Sequence, residues 1–300
     1  MLPRCAFVTG AAGFIGSRLT RRLVSEGWTV HCMIKEAPDS AILADLAGRI
    51  HIHVRDGSTG QLCRIFENAK PDCVFHLASL FLADHGPEDV PELIESNLSF
   101  PASLLDAMAR CGINRLVNTG TSWQYDERGA VQPVNLYAAT KEAFEDIIRY
   151  YVDAHGLKVV TLVLYDTYGP GDPRRKLVNL LLGLLQSEEP LFMSPGEQRI
   201  DLVHVNDVIE AFRTASELLL TGREGDHGHY AVTSGDFLSL KEIVALFEAA
   251  AGRKLNVQFG KRPYRTREVM NPWHGLEVLP GWRPTFTLAT GFADMLAKGK

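Results

Sequence analysis

The sequence predicts an α/β fold in which a doubly wound parallel sheet is joined to a smaller, interleaved C-terminal lobe. Short apolar runs alternate with longer helical patterns through the first two-thirds of the 300 residues, as expected when helices connect parallel strands. Several of these runs are apolar on successive residues, which indicates strands that helices cover on both faces. A glycine-rich turn lies between the first strand and the first helix.

Six apolar runs are the predicted strands of the main sheet, and their sequences are CAFVT, WTVHCMI, IHIHV, DCVFHLA, RLVNTG and VVTLVLY. The first helix carries Ile15, Leu19 and Leu23 on one face, and Gly27 can end it. A longer helix is predicted from about Tyr137 to His155, because its apolar residues also fall on one face.

Proline and glycine become frequent after residue 168, and the alternation of strands and helices becomes irregular there. We therefore predict a larger domain over residues 1–168, with segments of about 200–233 returning to it, and a smaller lobe over residues 169–300. In the final seventy residues the pattern predicts one clear helix, over residues 240–251, followed by a tail rich in proline and tryptophan.

Composition and charge exclude several classes of partner. The formal net charge of −5 leaves no broad basic field for nucleic acid. The five cysteines contain no CxxC pair, so we predict neither a disulfide framework nor a metal site, and reduced thiols favour the cytoplasm. The N-terminus shows no signal peptide, and no apolar run approaches the ~20 residues that cross a bilayer, so no membrane partner is expected.

The glycine turn has the sequence TGAAGFIG, with glycines at positions 10, 13 and 16. Glycines at this spacing allow a tight turn, close approach of the backbone to a pyrophosphate, and close packing of helix on strand. The N-terminus of the following helix then presents unpaired N–H groups to the phosphates. The turn has the strand before it and the helix after it that this function requires, so we predict that it binds a dinucleotide.

The second strand indicates which dinucleotide is bound. Dinucleotide sites specific for NAD carry an acidic residue near the end of this strand for the ribose 2′-hydroxyl. Here the strand ends in CMI and Lys35 follows, so the predicted cofactor is NADP, with NAD as the alternative. Lys35 can contact a 2′-phosphate or can simply be a solvated lysine that begins a loop. Asp56, after the third strand, can accept a hydrogen bond from the adenine amine or can be a turn residue.

A tyrosine and a lysine four residues apart begin the long helix. The spacing of Tyr137 and Lys141 places the phenol and the ammonium on one face. The lysine charge and a nicotinamide charge favour the phenolate, which brings the tyrosine nearer to the range useful for proton transfer. The fifth strand runs into Thr121 and Ser122, and a hydroxyl there can hydrogen-bond the same substrate oxygen as Tyr137. We choose Thr121, with Ser122 as the close alternative.

The motifs TGAAGFIG, FHLAS, NTGTSWQY, YAATK, TYGPGD and GWRP occur in the order seen in the extended short-chain dehydrogenase/reductases, also called the NAD-dependent epimerase/dehydratase family. The chain resembles this family along essentially its whole length. The resemblance implies a Rossmann domain at the N-terminus, a substrate-binding lobe at the C-terminus, and a homodimer. It implies a catalytic triad of Thr121, Tyr137 and Lys141, and it makes Asn97 a helper that orders the active-site helix and a water.

The same resemblance implies a set of cofactor contacts in addition to Tyr137, Lys141 and Lys35, which are Gly10, Gly13, Phe14, Ile15, Gly16, Asp56, Gly57, Leu77, Ala78 and Ser79. Two positions depart from the family pattern. Asp166 stands where asparagine is usual, and Val163 stands where arginine is frequent.

The choice of reaction depends on the residues that follow Thr121. Dehydratases of the family resemble one another in an Asp-Glu pair at that point, which supplies the acid and base that expel water. Here Ser122 and Trp123 occupy the two positions, so dehydration is disfavoured. The segment from Asp166 to Leu177 resembles the reductases that make CDP-linked dideoxyhexoses, such as abequose and paratose synthases.

We therefore predict an NAD(P)H-dependent reductase of a nucleotide-linked 4-keto-6-deoxyhexose, with hydride transfer to C4 and Tyr137 as the proton donor. The alternatives are a nucleotide-sugar epimerase with tightly bound NAD, a reductase of non-nucleotide ketones, and a sensor without catalysis. The predicted substrate contacts are Ser122, Trp123, Asp166, Asn179, Arg199 and Arg267. The two arginines can pair with a diphosphate, which Asn179 can also reach, although such basic residues can equally be solvated surface charges.

Overall fold

The computed structural model describes residues 4–223 and 225–298 of the chain. Its main sheet has seven parallel strands in the order β10-β6-β5-β4-β1-β2-β3. These strands are β1 (Cys5–Thr9), β2 (Thr29–Ile34), β3 (Ile50–Val54), β4 (Cys73–His76), β5 (Arg115–Thr121), β6 (Lys158–Leu164) and β10 (His227–Val232). The doubly wound α/β fold predicted from the sequence is confirmed, and the six predicted strands all lie in this sheet.

Helices cover both faces of the main sheet. They are α1 (Phe14–Ser25), α2 (Thr59–Ala69), α4 (Phe100–Arg110), α5 (Leu136–His155) and α7 (Val205–Thr221). The short helix α3 (Val90–Ile94) contacts α5. One buried cluster packs α1 and α7 against the sheet through side chains such as Leu19, Leu23 and Phe212. A second cluster lies on the opposite face, where Phe66 of α2, Leu104 of α4 and Phe144 of α5 are buried. This two-sided burial explains the continuous apolar runs in the strands.

The order of the strands reverses between β1 and β4, which are neighbours although β2 and β3 lie between them in the chain. In open α/β sheets ligands bind at such a switch point, outside the carboxyl ends of the strands. The glycine turn follows β1 directly and therefore lies at this position.

Among the residues that the structure describes, two small sheets and three further α-helices lie outside the main sheet and its covering helices. The sheets comprise β7 (Asp166–Tyr168), β9 (Arg199–His204) and β11 (Phe237–Ser239) in one, and β8 (Leu191–Phe192) and β12 (Val257–Gln258) in the other. The helices are α6 (Leu177–Gly183), α8 (Leu240–Ala251) and α9 (Leu288–Lys298). They share a third buried cluster that includes Leu181, Phe247 and Phe292. The boundary at residue 168 stays a prediction.

Helix α9 corrects the prediction for the end of the chain, where the sequence indicated only one clear helix. Leu288, Phe292 and Met295 lie on one face of α9 and are buried against the third cluster. The proline-rich segment before it hid this short pattern. Across the ranges that the structure describes, every helix is too short or too polar to cross a membrane.

Candidate active site

Most of the predicted site residues meet in one cavity of about 260 Å³ at the carboxyl ends of β1, β4, β5 and β6. Segments that are far apart in the chain supply its walls. The residues that line it are Gly10, Gly13, Phe14, Ile15, Gly16, Leu77, Ser79, Phe81, Thr119, Gly120, Thr121, Ser122, Trp123, Tyr137, Lys141, Leu164, Tyr165, Asp166, Thr167, Arg174 and Lys176. We call this space the reaction cavity.

The glycine turn is too closely packed to hold side chains. Gly10 has a φ of +67°, and a Cβ atom there would lie 2.6 Å from the backbone nitrogen of Ala78. A Cβ atom at Gly16 would lie 2.1 Å from the carbonyl oxygen of Gly10. Helix α1 begins at Phe14 with Gly13 as its N-cap, and no side chain caps it. The N–H groups of its first turn therefore lack intrahelical partners and can bind a phosphate, so the turn fits the pyrophosphate of a dinucleotide.

Asn97 connects the loop after β4 to the helix that carries Tyr137. Its amide oxygen accepts hydrogen bonds from Leu80 N at 2.8 Å and from Ser79 Oγ at 3.1 Å. Its amide nitrogen donates to Leu80 O and to Oγ1 of Thr140, each at 3.0 Å. Asn97 lies in a π-helical turn, Glu95–Ser99, between α3 and α4, and it is 2% exposed. Such turns often occur at functional sites. The position fits the predicted role of ordering the active-site helix.

Local capping fixes the start of α5. The side chain of Asn135 accepts a hydrogen bond from Ala138 N at 2.9 Å and donates one to Ala83 O at 2.9 Å. An asparagine N-cap satisfies one of the unpaired N–H groups at the beginning of the helix. Tyr137 and Lys141 therefore lie on the first two turns of α5, and both face the reaction cavity.

Burial changes the proton affinity of both catalytic candidates. It raises the pKa of Tyr137 to about 12, although a hydrogen bond with Ser79 and the charge of Arg174 act in the opposite direction. Burial also lowers the pKa of Lys141 to about 8, while the nearby Glu145 carboxylate raises it. The sequence predicted a tyrosine shifted toward the phenolate. Among the protein's own groups the direction is the reverse, because loss of water around the phenol outweighs the hydrogen bond with Ser79 and the charge of Arg174; the effect of a nicotinamide charge stays a prediction.

The end of β5 supplies the hydroxyl groups of the site. Thr121 ends the strand, and its backbone N–H donates to Oε1 of Gln124 at 2.8 Å. Its Oγ1 accepts from Trp123 N at 3.4 Å. Thr121 and Ser122 both line the reaction cavity, so either hydroxyl can form a hydrogen bond with the substrate oxygen.

Phe81 was missed in the sequence and lies at the mouth of the reaction cavity. Its ring contacts Tyr137 edge to face, with centroids 5.0 Å apart, and Trp123 at 5.7 Å. It is 38% exposed, which is high for a phenylalanine. One residue separates it from the FHLAS motif, and no periodic pattern distinguishes it from an ordinary loop residue.

A second, larger cavity of about 500 Å³ adjoins the first and extends toward the C-terminal lobe. We call it the lobe cavity. The residues common to both linings are Phe81, Ser122, Trp123, Tyr165, Asp166, Thr167 and Lys176. Five arginines line the lobe cavity, and they are Arg175, Arg199, Arg262, Arg265 and Arg267. Such a cationic surface suits phosphate oxygens.

An ion pair lies where the two cavities meet. Nζ of Lys176 is 2.8 Å from Oδ1 of Asp166. Burial raises the pKa of Asp166, but the charge of Lys176 and the hydrogen bond from it, with Arg174 and Arg265, bring the pKa below its usual value on balance. Asp166 is therefore an ionised carboxylate that is already paired. Among the described residues that line the reaction cavity, it is the only carboxylate.

Asn179 does not line either cavity in the part of the chain that the structure describes. Its amide nitrogen donates to the carbonyl oxygens of Asp172 at 2.8 Å and Arg174 at 2.7 Å. The side chain thus holds the loop before α6. This internal role differs from the predicted one, and contact between Asn179 and a diphosphate stays a prediction.

Four of the predicted cofactor contacts do not line the reaction cavity, and they are Lys35, Asp56, Gly57 and Ala78. Lys35 is exposed, and its Nζ lies 2.6 Å from Oε1 of Glu92. Asp56 accepts hydrogen bonds from the backbone N–H of Ser58 at 2.8 Å and from its hydroxyl at 2.7 Å, as in a turn. Gly57 lines a smaller cavity of about 170 Å³ beside β3. Their contacts with a cofactor stay predictions.

Comparisons with known proteins agree with this geometry. The family model described as the NAD dependent epimerase/dehydratase family matches residues 6–232. A CDP-abequose synthase of Yersinia pseudotuberculosis is 28% identical over 88% of this chain and 90% of its own. A UDP-glucose 4-epimerase of Mycolicibacterium smegmatis is 28% identical over 95% of both chains. The structure of a Thermus thermophilus UDP-glucose 4-epimerase with NAD superposes with a TM-score of 0.81, at 24% identity and 98% coverage of both chains.

Proposed function

The chain belongs to the NAD-dependent epimerase/dehydratase family, and within it we propose that the protein is a reductase of a nucleotide-linked 4-keto-6-deoxyhexose, with NADPH as the reductant. Family membership confirms the resemblance drawn from the motifs and makes the protein an oxidoreductase-type enzyme. The substrate class, the direction of the reaction and the choice of NADPH are the parts that we propose.

The observation that carries the proposal is that the reaction cavity offers a proton donor and no free carboxylate. The phenol of Tyr137, with its pKa raised to about 12, stays protonated at neutral pH, which is the form that a reductase needs before the reaction. The described lining includes a single carboxylate, Asp166, and Lys176 neutralises it. Dehydration requires an acid and a base across the bond that loses water, and no free pair of this kind lines the cavity.

In the proposed reaction each of these residues has a separate role. The first-turn N–H groups of α1 hold the pyrophosphate of the cofactor, and Lys141 holds the nicotinamide ribose. When bound, the reduced nicotinamide supplies a hydride. Tyr137 donates its hydroxyl proton to the oxygen on C4 of the sugar, and Thr121 donates a hydrogen bond to the same oxygen. The lobe cavity accepts the nucleotide diphosphate, with Arg199 and Arg267 as its ligands.

The identity of the cofactor is supported by the end of β2. An acidic residue for the ribose 2′-hydroxyl is missing there, and Lys35 is exposed, where it can exchange its partner Glu92 for a 2′-phosphate. A reductase must exchange its cofactor in every turnover. Two observations support the proposed substrate class. Some relatives are named CDP-abequose synthase, and the segment from Asp166 to Leu177 resembles the reductases that make CDP-linked dideoxyhexoses.

Epimerisation is the second candidate, and the specific observation in its favour is the comparable identity to a UDP-glucose 4-epimerase. An epimerase first oxidises the C4 alcohol and therefore needs Tyr137 as a base, while it retains NAD through both half-reactions.

The test is to incubate the protein with NADPH and a panel of CDP-, dTDP- and UDP-linked 4-keto-6-deoxyhexoses while the nicotinamide absorbance is followed. We expect loss of absorbance with at least one member of the panel. The matched arm supplies NAD and UDP-glucose without NADPH, and there we expect no UDP-galactose. Formation of UDP-galactose with no response to any ketone would establish the epimerase instead, and turnover of free ketones alone would establish a reductase of non-nucleotide substrates.

A further inference from the structure

A buried polar cluster lies at one edge of the main sheet, apart from both cavities. Strand β10 is the edge strand, and His227 and His229 point to the same face of it because they are two residues apart. Helix α5 covers that face, and its Glu145 lies over the two histidines with only 1% of its surface exposed. None of the three side chains lines either cavity, and the only effect on the site described above is that the charge of Glu145 raises the pKa of Lys141.

The distances within the cluster fit a metal ion. Oε2 of Glu145 lies 3.2 Å from Nε2 of His227 and 3.4 Å from Nε2 of His229. The three candidate ligand atoms all lie within 4.8 Å of one another. Zinc binds imidazole nitrogen and carboxylate oxygen at about 2.0–2.2 Å, and tetrahedral geometry then separates neighbouring ligand atoms by about 3.3–3.5 Å. The separations of 3.2 and 3.4 Å lie in or within about 0.1 Å of that range, which is consistent with an ion placed among the three atoms.

The carboxylate is held in a fixed orientation. Oε1 of Glu145 accepts hydrogen bonds from Nδ2 of Asn118 at 2.8 Å and from Oγ1 of Thr161 at 2.9 Å. Asn118, Thr161 and His229 are paired in register across β5, β6 and β10. These donors engage one oxygen and leave the other directed at the imidazoles. Hydrogen bonds of this kind from outside the ligand set orient the carboxylates of metal sites.

Two atoms of the cluster are buried without a proper partner. Within the described residues, Oε2 of Glu145 and Nε2 of His227 make no hydrogen bond of acceptable geometry, although they are only 3.2 Å apart. A buried polar atom that is left unpaired costs about 1–3 kcal/mol, and more when the group is charged. A bound cation would satisfy both atoms at once, whereas a direct hydrogen bond between them requires a proton on Nε2 of His227.

We propose that Glu145, His227 and His229 form a binding site for a divalent transition-metal ion of the zinc class. Two imidazoles and one carboxylate are ligands that suit Zn²⁺, Co²⁺, Ni²⁺ or Cu²⁺, whereas Mg²⁺ and Ca²⁺ prefer oxygen alone. The side chains of His227 and His229 are 14% and 26% exposed, so the cluster lies close to the protein surface. A bound ion would tie the edge strand β10 to α5. The sequence predicted no metal site from the pattern of its cysteines, and Glu145 and the two histidines are far apart in the chain.

The test titrates Zn²⁺ and Co²⁺ into tag-free, full-length protein after treatment with EDTA, at about pH 7.5, where imidazoles are mostly neutral. Calorimetry should show one Zn²⁺ per chain, and Co²⁺ should give the visible absorption of a four-coordinate site. His227→Gln and His229→Gln should each weaken binding at least tenfold. Thr161→Val removes a hydrogen bond to Glu145 and no ligand, and it should weaken binding roughly ten- to a hundredfold.

The matched control is a histidine at the opposite edge of the sheet. Nε2 of His53 lies 3.0 Å from Nδ1 of His31, so this pair is the competing explanation for any ion that binds. His53→Gln should leave the affinity unchanged. Absence of stoichiometric binding to the wild type, or binding that survives both His227→Gln and His229→Gln, would overturn the proposal. So would binding that is lost in His53→Gln. If circular dichroism shows that His227→Gln and His229→Gln do not fold, the Zn²⁺ affinity of Thr161→Val is compared with that of His53→Gln. Weaker binding by Thr161→Val alone supports the proposal, and equal affinity overturns it.

Discussion

Removal of one hydroxyl, in Tyr137→Phe, separates the chemistry of the site from its architecture. Phenylalanine fills the same volume and keeps the edge-to-face contact with Phe81, whose centroid lies 5.0 Å away. The hydrogen bond with Ser79 is lost, and one such bond contributes about 0.5–1.5 kcal/mol to stability. Loss of a positioned general acid costs roughly 10²–10⁴-fold in rate. That range corresponds to about 2.7–5.4 kcal/mol of activation free energy, well above the cost to folding.

The assay compares three quantities in Tyr137→Phe and the wild type, namely the steady-state rate of NADPH oxidation with a 4-keto sugar, the Kd of NADPH by fluorescence, and the melting temperature. We expect the rate to fall by the stated factor while the other two quantities change little. Tyr150→Phe is the matched control, because Tyr150 lies on the same helix and is 58% exposed. Wild-type turnover by a folded Tyr137→Phe protein would refute the assignment of the proton donor.

Three further predictions concern the cofactor side of the site. Wild-type kcat/KM should fall as the pH rises through about 8, because burial lowers the pKa of Lys141 to about 8 and only the ammonium form can hold the ribose hydroxyls as a cation. In Lys141→Arg, which stays charged, that fall should move to higher pH. An unchanged pH profile in this variant would contradict the reasoning. Glu92→Gln should tighten NADPH binding by up to roughly fivefold and leave the affinity for NADH unchanged, since it frees Lys35 from an exposed ion pair worth about 0–1 kcal/mol. Equal changes in the affinity for both cofactors, measured by titration, would argue against a contact between Lys35 and the 2′-phosphate. Gly16→Ala should abolish NADPH binding in a thermal-shift assay, because the added Cβ would lie 2.1 Å from a carbonyl oxygen of the turn. Gly183→Ala is the control, since its Cβ meets open space and this variant should bind NADPH normally. Retained binding by Gly16→Ala would show that the turn is not the pyrophosphate site.

Local patterns in the sequence were sufficient for the main sheet and the core of the site. The turn at Gly10 to Gly16 has its glycines within one short segment, and the pair Tyr137 and Lys141 lies within two turns of one helix. Such features depend on spacing alone, so they can be recognised without the fold. Helix α9 was missed because its apolar face is short and follows a proline-rich segment.

Features that depend on tertiary packing could not be predicted in the same way. Asn179 was assigned to a diphosphate from its type and position, yet its amide is used by the carbonyl groups of the preceding loop. The direction of the pKa shift of Tyr137 depends on how much water the fold removes, which spacing does not indicate. Phe81 becomes part of the site only because β4 and α5 are brought together, and the cluster at Glu145 likewise requires β10 to pair with β6.

The most direct test of the proposed reaction follows the hydride itself. The protein is incubated with NADPH that carries deuterium at the transferable position of the nicotinamide, together with the 4-keto sugar that gives turnover, and the products are analysed by mass spectrometry and NMR. The account predicts one NADPH consumed for each ketone, and a sugar product that carries a single deuterium at C4 and a solvent-derived proton on its oxygen. An isomer formed with no net consumption of NADPH, or a product lighter by one water, would contradict the account in favour of an epimerase or a dehydratase respectively.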